Sequence, residues 1–97
     1  MAGNVSFITE LESIIEQRLQ QKDDQSYVYG LISSGLDRVL KKVGEEAGEV
    51  IIAAKNASSE DFLNESADLL FHLMLVLKAK GHSIEDVIQV LKQRHDR

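Results

Sequence analysis

The sequence contains no cysteine, no proline and no tryptophan among its 97 residues, and aromatic residues make up only 5%. Without cysteine, disulfide frameworks, thiolate zinc sites and cysteine nucleophiles are all excluded. The absence of proline and the scarcity of alternating strand patterns favour helices along the whole chain. We therefore predict an all-α fold that is stabilised by packing, part of it shared between subunits.

Long hydrophobic runs are also missing. The longest apolar stretch, residues 69–77 with His72 inside it, has nine residues, whereas about 18 are needed to cross a bilayer. The first six residues lack the basic and apolar regions of a signal peptide. We expect a soluble, cytoplasmic protein that has no membrane partner.

Positive charge is scarce, since 11 Lys and Arg residues stand against 16 Asp and Glu residues and give a net charge of −5. A protein whose main partner is a nucleic acid normally carries a basic surface, so no nucleic-acid partner is expected. An acidic protein still binds phosphates when a metal ion mediates the contact. The length leaves room for one domain, residues 1–97, and excludes a second.

Apolar periodicity, capping residues and glycines predict a small bundle of four to five helices. Ser26 and Ser83 are expected to cap the second and the fifth helix, and Gly35 and Gly81 follow helix ends. The fourth helix is apolar around most of its circumference and is therefore predicted to be buried on most sides. An apolar stripe on the fifth helix is also predicted to be buried. The helices are predicted at about residues 7–22, 27–33, 36–55, 59–80 and 84–95.

Three acidic residues share one sector of the third helix. At about 100° per residue, Glu45, Glu46 and Glu49 fall within roughly 100° of one another and border the apolar stripe. The connection to the fourth helix, Asn-Ala-Ser-Ser at residues 56–59, is short and makes the two helices antiparallel neighbours. The acids of the third helix therefore face the side chains that lie at the same level on the fourth helix.

The fourth helix carries Glu65, Asp68 and His72 in a narrow polar stripe with apolar surroundings. Counted outward from the connection, the two acids are level with those of the third helix. Five converging carboxylates repel one another. A bound divalent cation or raised pKa values of the carboxyl groups ordinarily reduce this repulsion. Ligands that are all oxygen indicate Mg²⁺ or Mn²⁺.

Surface ion pairs are the alternative explanation for any single acid. Lys41 with Glu45 and Lys42 with Glu46 have the i,i+4 spacing of helix surface pairs. These pairs run in the less favourable Lys-before-Glu order, and they leave the acids of the fourth helix without partners. For the five acids together we predict metal binding.

Arg38 and Lys42 lie along the same sector of the third helix, one or two turns before the acids. Their cationic groups suit phosphate oxygens that a metal ion does not reach, although surface salt bridging explains each of them equally well. His72 is expected to be a core residue that supports neighbouring groups and not a metal ligand.

Several motifs resemble those of a known enzyme family. Lys-Val-Gly-Glu-Glu-Ala-Gly-Glu at residues 42–49, followed after 15 residues by Glu-Ser-Ala-Asp at 65–68, resembles the EExxE and ExxD signature of the all-α, MazG-like nucleotide pyrophosphohydrolases. Ser-Tyr at 26–27, Gly-Leu-Asp-Arg at 35–38 and Ala-Asp-Leu-Leu-Phe-His at 67–72 are closer still to the phosphoribosyl-ATP pyrophosphohydrolases of histidine biosynthesis.

The resemblance implies hydrolysis of phosphoribosyl-ATP to phosphoribosyl-AMP and pyrophosphate, by Mg²⁺-activated attack of water on the α–β phosphoanhydride. It also suggests a homodimer. The acids implied as metal-binding and catalytic, with Mn²⁺ as the alternative cation, are Glu45, Glu46, Glu49, Glu65 and Asp68. The residues implied to bind or position the substrate are Ser26, Tyr27, Arg38, Lys42 and His72.

Two other functions stay open at this point. The five acids are shared with housekeeping MazG-like enzymes that act on deoxynucleoside or noncanonical nucleoside triphosphates. A non-catalytic helical module that binds a cation for stability has the same acidic face, and it predicts metal-dependent stability without pyrophosphate release.

Overall fold

The computed structural model describes residues 3–56 and 58–96, and these contain helices and no strand. A short 3-10 helix at Gly3–Ser6 leads into five α-helices. They are α1 (Phe7–Gln21), α2 (Tyr27–Ser33), α3 (Leu36–Asn56), α4 (Ser59–Ala79) and α5 (Ile84–His95). The all-α prediction is confirmed, and each predicted boundary lies within one residue of the observed one. Ala57 of the predicted connection lies outside the described residues.

Serine side chains and glycines set the helix boundaries. The Ser26 hydroxyl accepts the backbone N–H of Tyr29 at the start of α2, and Ser83 with Asp86 forms a reciprocal capping box at the start of α5. Gly35 and Gly81 follow α2 and α4 with φ of +114° and +80°, a region that costs side-chain-bearing residues energy. The predicted caps and stops are therefore present.

The long helices α3 and α4 pack side by side as an antiparallel hairpin, and α1 and α2 pack on the part of it that is remote from the turn. Each of the four helices contributes to one core, which therefore lies at that end of the hairpin. The buried core residues are Ile15, Val28, Val39, Met74 and Leu75.

Two predictions of burial are wrong for the single chain. The fifth helix has no buried residue, and both Ile88 and Leu91 of its apolar stripe are exposed. The fourth helix buries Met74 and Leu75, whereas Leu63 is 63% exposed. The apolar pattern is real, but no other part of the described chain covers these faces. Among the described residues, no helix has both the length and the hydropathy needed to cross a membrane.

An acidic residue of α1 holds the start of α5. The backbone N–H of Ile84 donates to the Glu12 carboxylate at 2.5 Å. Ile84 is the first residue of α5, where a helix N–H has no partner within the helix. Next to this contact, Glu16 forms an ion pair with Lys78 of α4. The two carboxylates of α1 line a hollow of about 240 Å³ at the junction of α1, α4 and α5.

Replacing Glu12 with alanine is expected to lower the free energy of unfolding by about 1–2 kcal/mol, because the Ile84 N–H loses its charged acceptor. Urea denaturation followed by circular dichroism measures the change. Glu10→Ala, on an exposed position of the same helix, is the matched control and should change the stability by less than about 0.5 kcal/mol. Equal losses in the two variants would show that the contact contributes nothing.

Candidate active site

Three carboxylates of the α3–α4 hairpin form a compact cluster. Glu46 of α3 and Glu65 and Asp68 of α4 each offer an oxygen that lies within 4.8 Å of the others. Glu46 is 9% exposed, Glu65 is half-buried and Asp68 is open to solvent. The cluster therefore has a buried floor and an open side, as a site for an ion and a ligand requires.

The electrostatics of the cluster show unbalanced negative charge. Burial raises the pKa of Glu65, and the neighbouring carboxylates of Glu49, Asp68 and Glu46 raise it further, in that order. Glu49 is thus close enough to repel Glu65, although it is outside the compact set of three. The donors are oxygens only, which matches the preference of Mg²⁺ and Mn²⁺.

Glu65→Gln is expected to raise the melting temperature of the metal-free protein at neutral pH. Since the pKa of Glu65 is raised in the folded state, its favourable contribution is complete below the ordinary glutamate pKa and is lost as the pH rises through the raised value. Glutamine keeps the shape of the side chain and removes the repulsion. Thermal melts at acidic and at neutral pH measure the effect.

If a divalent cation binds to the cluster, the same variant should lose most of the stabilisation that the cation gives to the wild type, because an anionic carboxylate of the cluster has become a neutral amide. Glu60→Gln removes one charge from the exposed first turn of α4 and serves as control. If wild-type and Glu65→Gln proteins melt at the same temperature without metal, the carboxylates do not strain the fold.

A basic hollow of about 440 Å³ adjoins the acids on α3. Its lining includes Arg38, Lys41 and Lys42 together with Glu45. The Lys42 ammonium lies 3.5 Å from a Glu46 oxygen, so the surface pair considered above exists alongside the carboxylate cluster. Tyr27 has the largest effect on the pKa of Lys42 and raises it, burial opposes this increase, and Glu46 and Glu45 raise the pKa further. The ammonium therefore stays charged at neutral pH.

Tyr27 and His72 connect α2 to α4 beside this hollow. The Tyr27 hydroxyl lies 2.7 Å from Nε2 of His72, whose Nδ1 lies 2.7 Å from the backbone carbonyl of Asp68. Ser26 lines a neighbouring hollow of about 420 Å³, which shares Tyr27 and Arg38 with the first. The two hollows thus adjoin each other, and Lys42 of the basic hollow pairs with Glu46 of the carboxylate cluster.

The arrangement of acidic and cationic side chains suits the binding of a polyphosphate. Comparison with known proteins identifies the family. A sequence model of phosphoribosyl-ATP pyrophosphohydrolase matches residues 8–95 of the chain. The chain belongs to the phosphoribosyl-ATP pyrophosphohydrolase family. The identification made from the sequence motifs is confirmed.

Individual relatives in the phosphoribosyl-ATP pyrophosphohydrolase family differ in length. The phosphoribosyl-ATP pyrophosphatase of Leptospira biflexa is 43% identical over 94% of this chain and 99% of its own length, and that of Pyrobaculum calidifontis is 46% identical over 90% and 93%. The histidine biosynthesis bifunctional protein HisIE of Bacillus subtilis is 45% identical over 97% of this chain but 45% of its own length. The chain thus corresponds to nearly all of the first two proteins and to about half of the third.

The residues predicted from the family motifs fall into two neighbouring groups. Glu46, Glu65 and Asp68 meet in the cluster, and Glu49 lies beside Glu65. Glu45 instead lines the basic hollow with Arg38, Lys42 and Tyr27. Ser26 caps α2 through its side chain, and His72 is buried with both ring nitrogens engaged.

Sequence reasoning missed Lys41 as part of the basic hollow. It was treated only as a partner of Glu45, with which it shares the i,i+4 spacing. On a helical wheel Lys41 lies about 40° from Glu45, on the side away from Glu46. This adjacency is the signal that places it at the edge of the site.

Proposed function

We propose that the chain hydrolyses phosphoribosyl-ATP to phosphoribosyl-AMP and pyrophosphate, a step of L-histidine biosynthesis. The carboxylate cluster next to a basic hollow carries this proposal, because it provides anionic ligands for a cation and cationic groups for phosphates within one surface. Membership of the phosphoribosyl-ATP pyrophosphohydrolase family and relatives named phosphoribosyl-ATP pyrophosphatase support it.

Glu46, Glu65 and Asp68 would hold Mg²⁺, or Mn²⁺ as the alternative, with Glu49 and Glu45 as the neighbouring acids that complete the site. Such a cation supplies the positive charge that offsets the triphosphate and lowers the barrier for attack by water. The fit rests on an all-oxygen donor set and on the repulsion that Glu65 experiences without a cation.

The other proposed roles belong to side chains of the protein. As an alternative to a role as ligand, Glu65 would orient the attacking water by accepting a hydrogen bond from it. Lys42 and Arg38 bind oxygens of the departing pyrophosphate and stabilise its charge. Ser26 and Tyr27 border the hollow where the rest of the nucleotide lies.

Pyrophosphate release tests the proposal, with Mg²⁺ and with EDTA, from phosphoribosyl-ATP beside ATP, dCTP and dUTP. Cleavage that is selective for phosphoribosyl-ATP and that stops in EDTA is the expected result. Preferential cleavage of the deoxynucleotides would instead indicate the housekeeping activity. Metal-dependent stability without any release would indicate the non-catalytic module.

We further propose that the chain is a single domain over residues 1–97 and acts in the cytoplasm as a homodimer. The dimer is supported by apolar side chains that lie open at the turn end of the hairpin, since Ile51, Ile52 and Leu63 are 65%, 59% and 63% exposed. A second copy of this face would cover them.

Leu63→Asp is expected to convert the dimer to a monomer at micromolar concentration, because it places a charge in the covered apolar surface. Light scattering coupled to size exclusion measures the mass. Asn64→Asp adds the same charge at the adjacent exposed position and should stay dimeric. A wild-type monomer at the same concentration would refute the dimer.

A further inference from the structure

The hollow that contains Ser26 differs in chemistry from the basic hollow beside it. This Ser26 hollow has a volume of about 420 Å³, and its lining includes a carboxylate, a carboxamide and two hydroxyls, from Asp24, Gln25, Ser26 and Ser34. Among the described residues that line it, Arg38 is the one cation, and Arg38 also lines the basic hollow. The Ser26 hollow therefore offers several hydrogen-bonding groups and little positive charge.

The turn between α1 and α2 places two of these groups at the hollow. The Asp23 carboxylate accepts the backbone N–H of Gln25, and the Asp23 carbonyl accepts that of Ser26, both at 2.9 Å. The side chain of Asp23 is therefore engaged inside the turn. The Asp24 carboxylate and the side-chain amide of Gln25 form no hydrogen bond or ion pair with the part of the chain that the structure describes. Both are available to a ligand.

The two serines of the hollow have complementary hydrogen-bonding capacity. The Ser26 hydroxyl accepts the backbone N–H of Tyr29, and within the described chain its own hydrogen has no acceptor. The Ser34 hydroxyl donates to the Leu31 carbonyl at 2.6 Å and keeps its lone pairs. The hollow thus both donates and accepts, as a sugar hydroxyl does. A phosphate oxygen at neutral pH only accepts, and the Asp24 carboxylate repels it.

Gly30 leaves open space in the Ser26 hollow. It lies inside α2 and lines the hollow, and a Cβ added there would meet no protein atom within 4 Å. Its φ is not positive, so neither packing nor backbone conformation requires a glycine, which is a poor helix former. The consequence of the missing side chain is room for a ligand next to the helix backbone.

The Ser26 hollow does not border the carboxylate cluster. Within the described chain none of the five acids lines it, whereas Glu45 lines the basic hollow together with Lys42, the partner of Glu46. The sugar that is bonded to the reacting phosphate has to lie beside the cluster. The phosphoribosyl group of phosphoribosyl-ATP is attached to the adenine base, away from the triphosphate, and its ring therefore suits a separate hollow.

We propose that the Ser26 hollow binds the ribosyl ring of the phosphoribosyl group and that Asp24 is a specificity-determining residue, which accepts hydrogen bonds from the ring hydroxyls. Gln25 and Ser26 donate to the hydroxyl oxygens. The identity of the sugar rests on the proposed function, whereas the preference of the hollow for a hydroxylated ring over phosphate alone rests on its lining.

Asp24→Asn is expected to lower kcat/KM for phosphoribosyl-ATP by about tenfold, because a hydrogen bond to a charged acceptor is weakened. Loss of negative charge by itself would favour an anionic substrate, so a decrease reports on the hydrogen bond. The inhibition constant of ATP, which lacks the phosphoribosyl group, should change less than about twofold. Asp37→Asn removes the same charge from an exposed position that lines neither hollow and should leave both constants unchanged.

Equal weakening of phosphoribosyl-ATP and ATP by Asp24→Asn would overturn the proposal, since Asp24 would then contact a part that both nucleotides share. An unchanged kcat/KM would overturn it as well, because a specificity-determining contact would be absent.

Gly30→Leu tests the hollow without removing any polar group. Leucine is the better helix former, so the melting temperature should not fall. The side chain fills part of the hollow, and KM for phosphoribosyl-ATP should rise by about tenfold while the inhibition constant of ATP is kept. Ser33→Leu adds the same side chain at an exposed position of α2 outside the lining and should keep the wild-type KM. A wild-type KM in Gly30→Leu would contradict binding in the hollow.

A titration of the free protein separates this proposal from the proposed function. Ribose 5-phosphate at millimolar concentration should shift the backbone amide resonances of Asp24, Gln25 and Gly30 in ¹⁵N NMR spectra, and inorganic phosphate at the same concentration should not. Equal shifts with both compounds, or none with ribose 5-phosphate, would overturn the sugar site. If the wild type releases no pyrophosphate from any nucleotide, the proposed function fails, and the titration still decides whether the hollow binds a ribosyl ring.

Discussion

Replacing Glu46 with glutamine is expected to lower kcat for phosphoribosyl-ATP by about 10³-fold or more. Glu46 is the most buried of the clustered acids, at 9% exposure, and it contacts both the acids of α4 and Lys42 of α3. Glutamine has nearly the same size but carries no charge, so the loss reports on the electrostatics of the site. Steady-state pyrophosphate release over a range of Mg²⁺ concentrations gives kcat, KM and the apparent affinity for the metal.

The fold should survive this substitution. Glu46 lies on α3, which keeps its other buried residues Val39 and Ala53, so the circular dichroism spectrum is expected to match that of the wild type. Glu49→Gln should also nearly abolish turnover with intact helical content, because Glu49 borders the same cluster. The control Glu60→Gln should keep wild-type kcat. Retained activity in Glu46→Gln would remove the buried carboxylate from the catalytic site.

Helix boundaries were predictable because their signals are local. Ser83 and Asp86 stand three residues apart and form the capping box that this spacing predicts. Gly35 and Gly81 end helices through positive φ angles, which a sequence reveals without any tertiary information. The antiparallel hairpin followed from the shortness of the connection between α3 and α4.

Burial was less predictable because it depends on partners that are distant or absent. Ile88 and Leu91 follow the helical period of a buried stripe, yet both are exposed in the single chain. Periodicity indicates that a face is apolar, but it does not say whether the chain itself or another subunit covers it. The same reasoning explains why Leu63 on the apolar fourth helix is exposed.

Within the candidate site, the sequence placed the acids on facing helices but did not rank them. Glu45 and Glu46 are adjacent, and both lie in the acidic sector of the wheel, yet only Glu46 enters the compact cluster while Glu45 lines the basic hollow. A rotation of about 100° between neighbouring residues decides which one faces α4. The contact of Tyr27 with His72 joins residues 45 positions apart, and no local pattern encodes it.

The carboxylate cluster also links stability to function. The proximity of Glu46, Glu65 and Asp68 lowers the stability of the cation-free protein, as the raised pKa of Glu65 indicates. A bound divalent ion would recover that stability by mass action. Metal-free and metal-loaded proteins should therefore differ most in melting temperature at pH values where these carboxylates are ionised.

Lys42→Met is expected to lower kcat/KM for phosphoribosyl-ATP by about 100-fold, because the substrate loses a charged hydrogen-bond donor at its phosphates. The raised pKa of Lys42 keeps the ammonium charged over the pH range of the assay, so the loss should not depend on pH between neutral and moderately alkaline conditions. Methionine preserves the length and the apolar stem of the side chain. The decrease therefore measures the charge.

Lys55→Met, in the exposed last turn of the same helix, changes the net charge equally and should leave kcat/KM within about twofold of the wild type. Arg38→Met distinguishes the contribution of Arg38 from that of Lys42. If Arg38→Met reduced kcat/KM while Lys42→Met did not, the phosphate contact would belong to Arg38, and Lys42 would serve only to balance Glu46. If both variants lose activity and the double variant loses more, each cation binds its own phosphate oxygen, since independent contacts add in free energy.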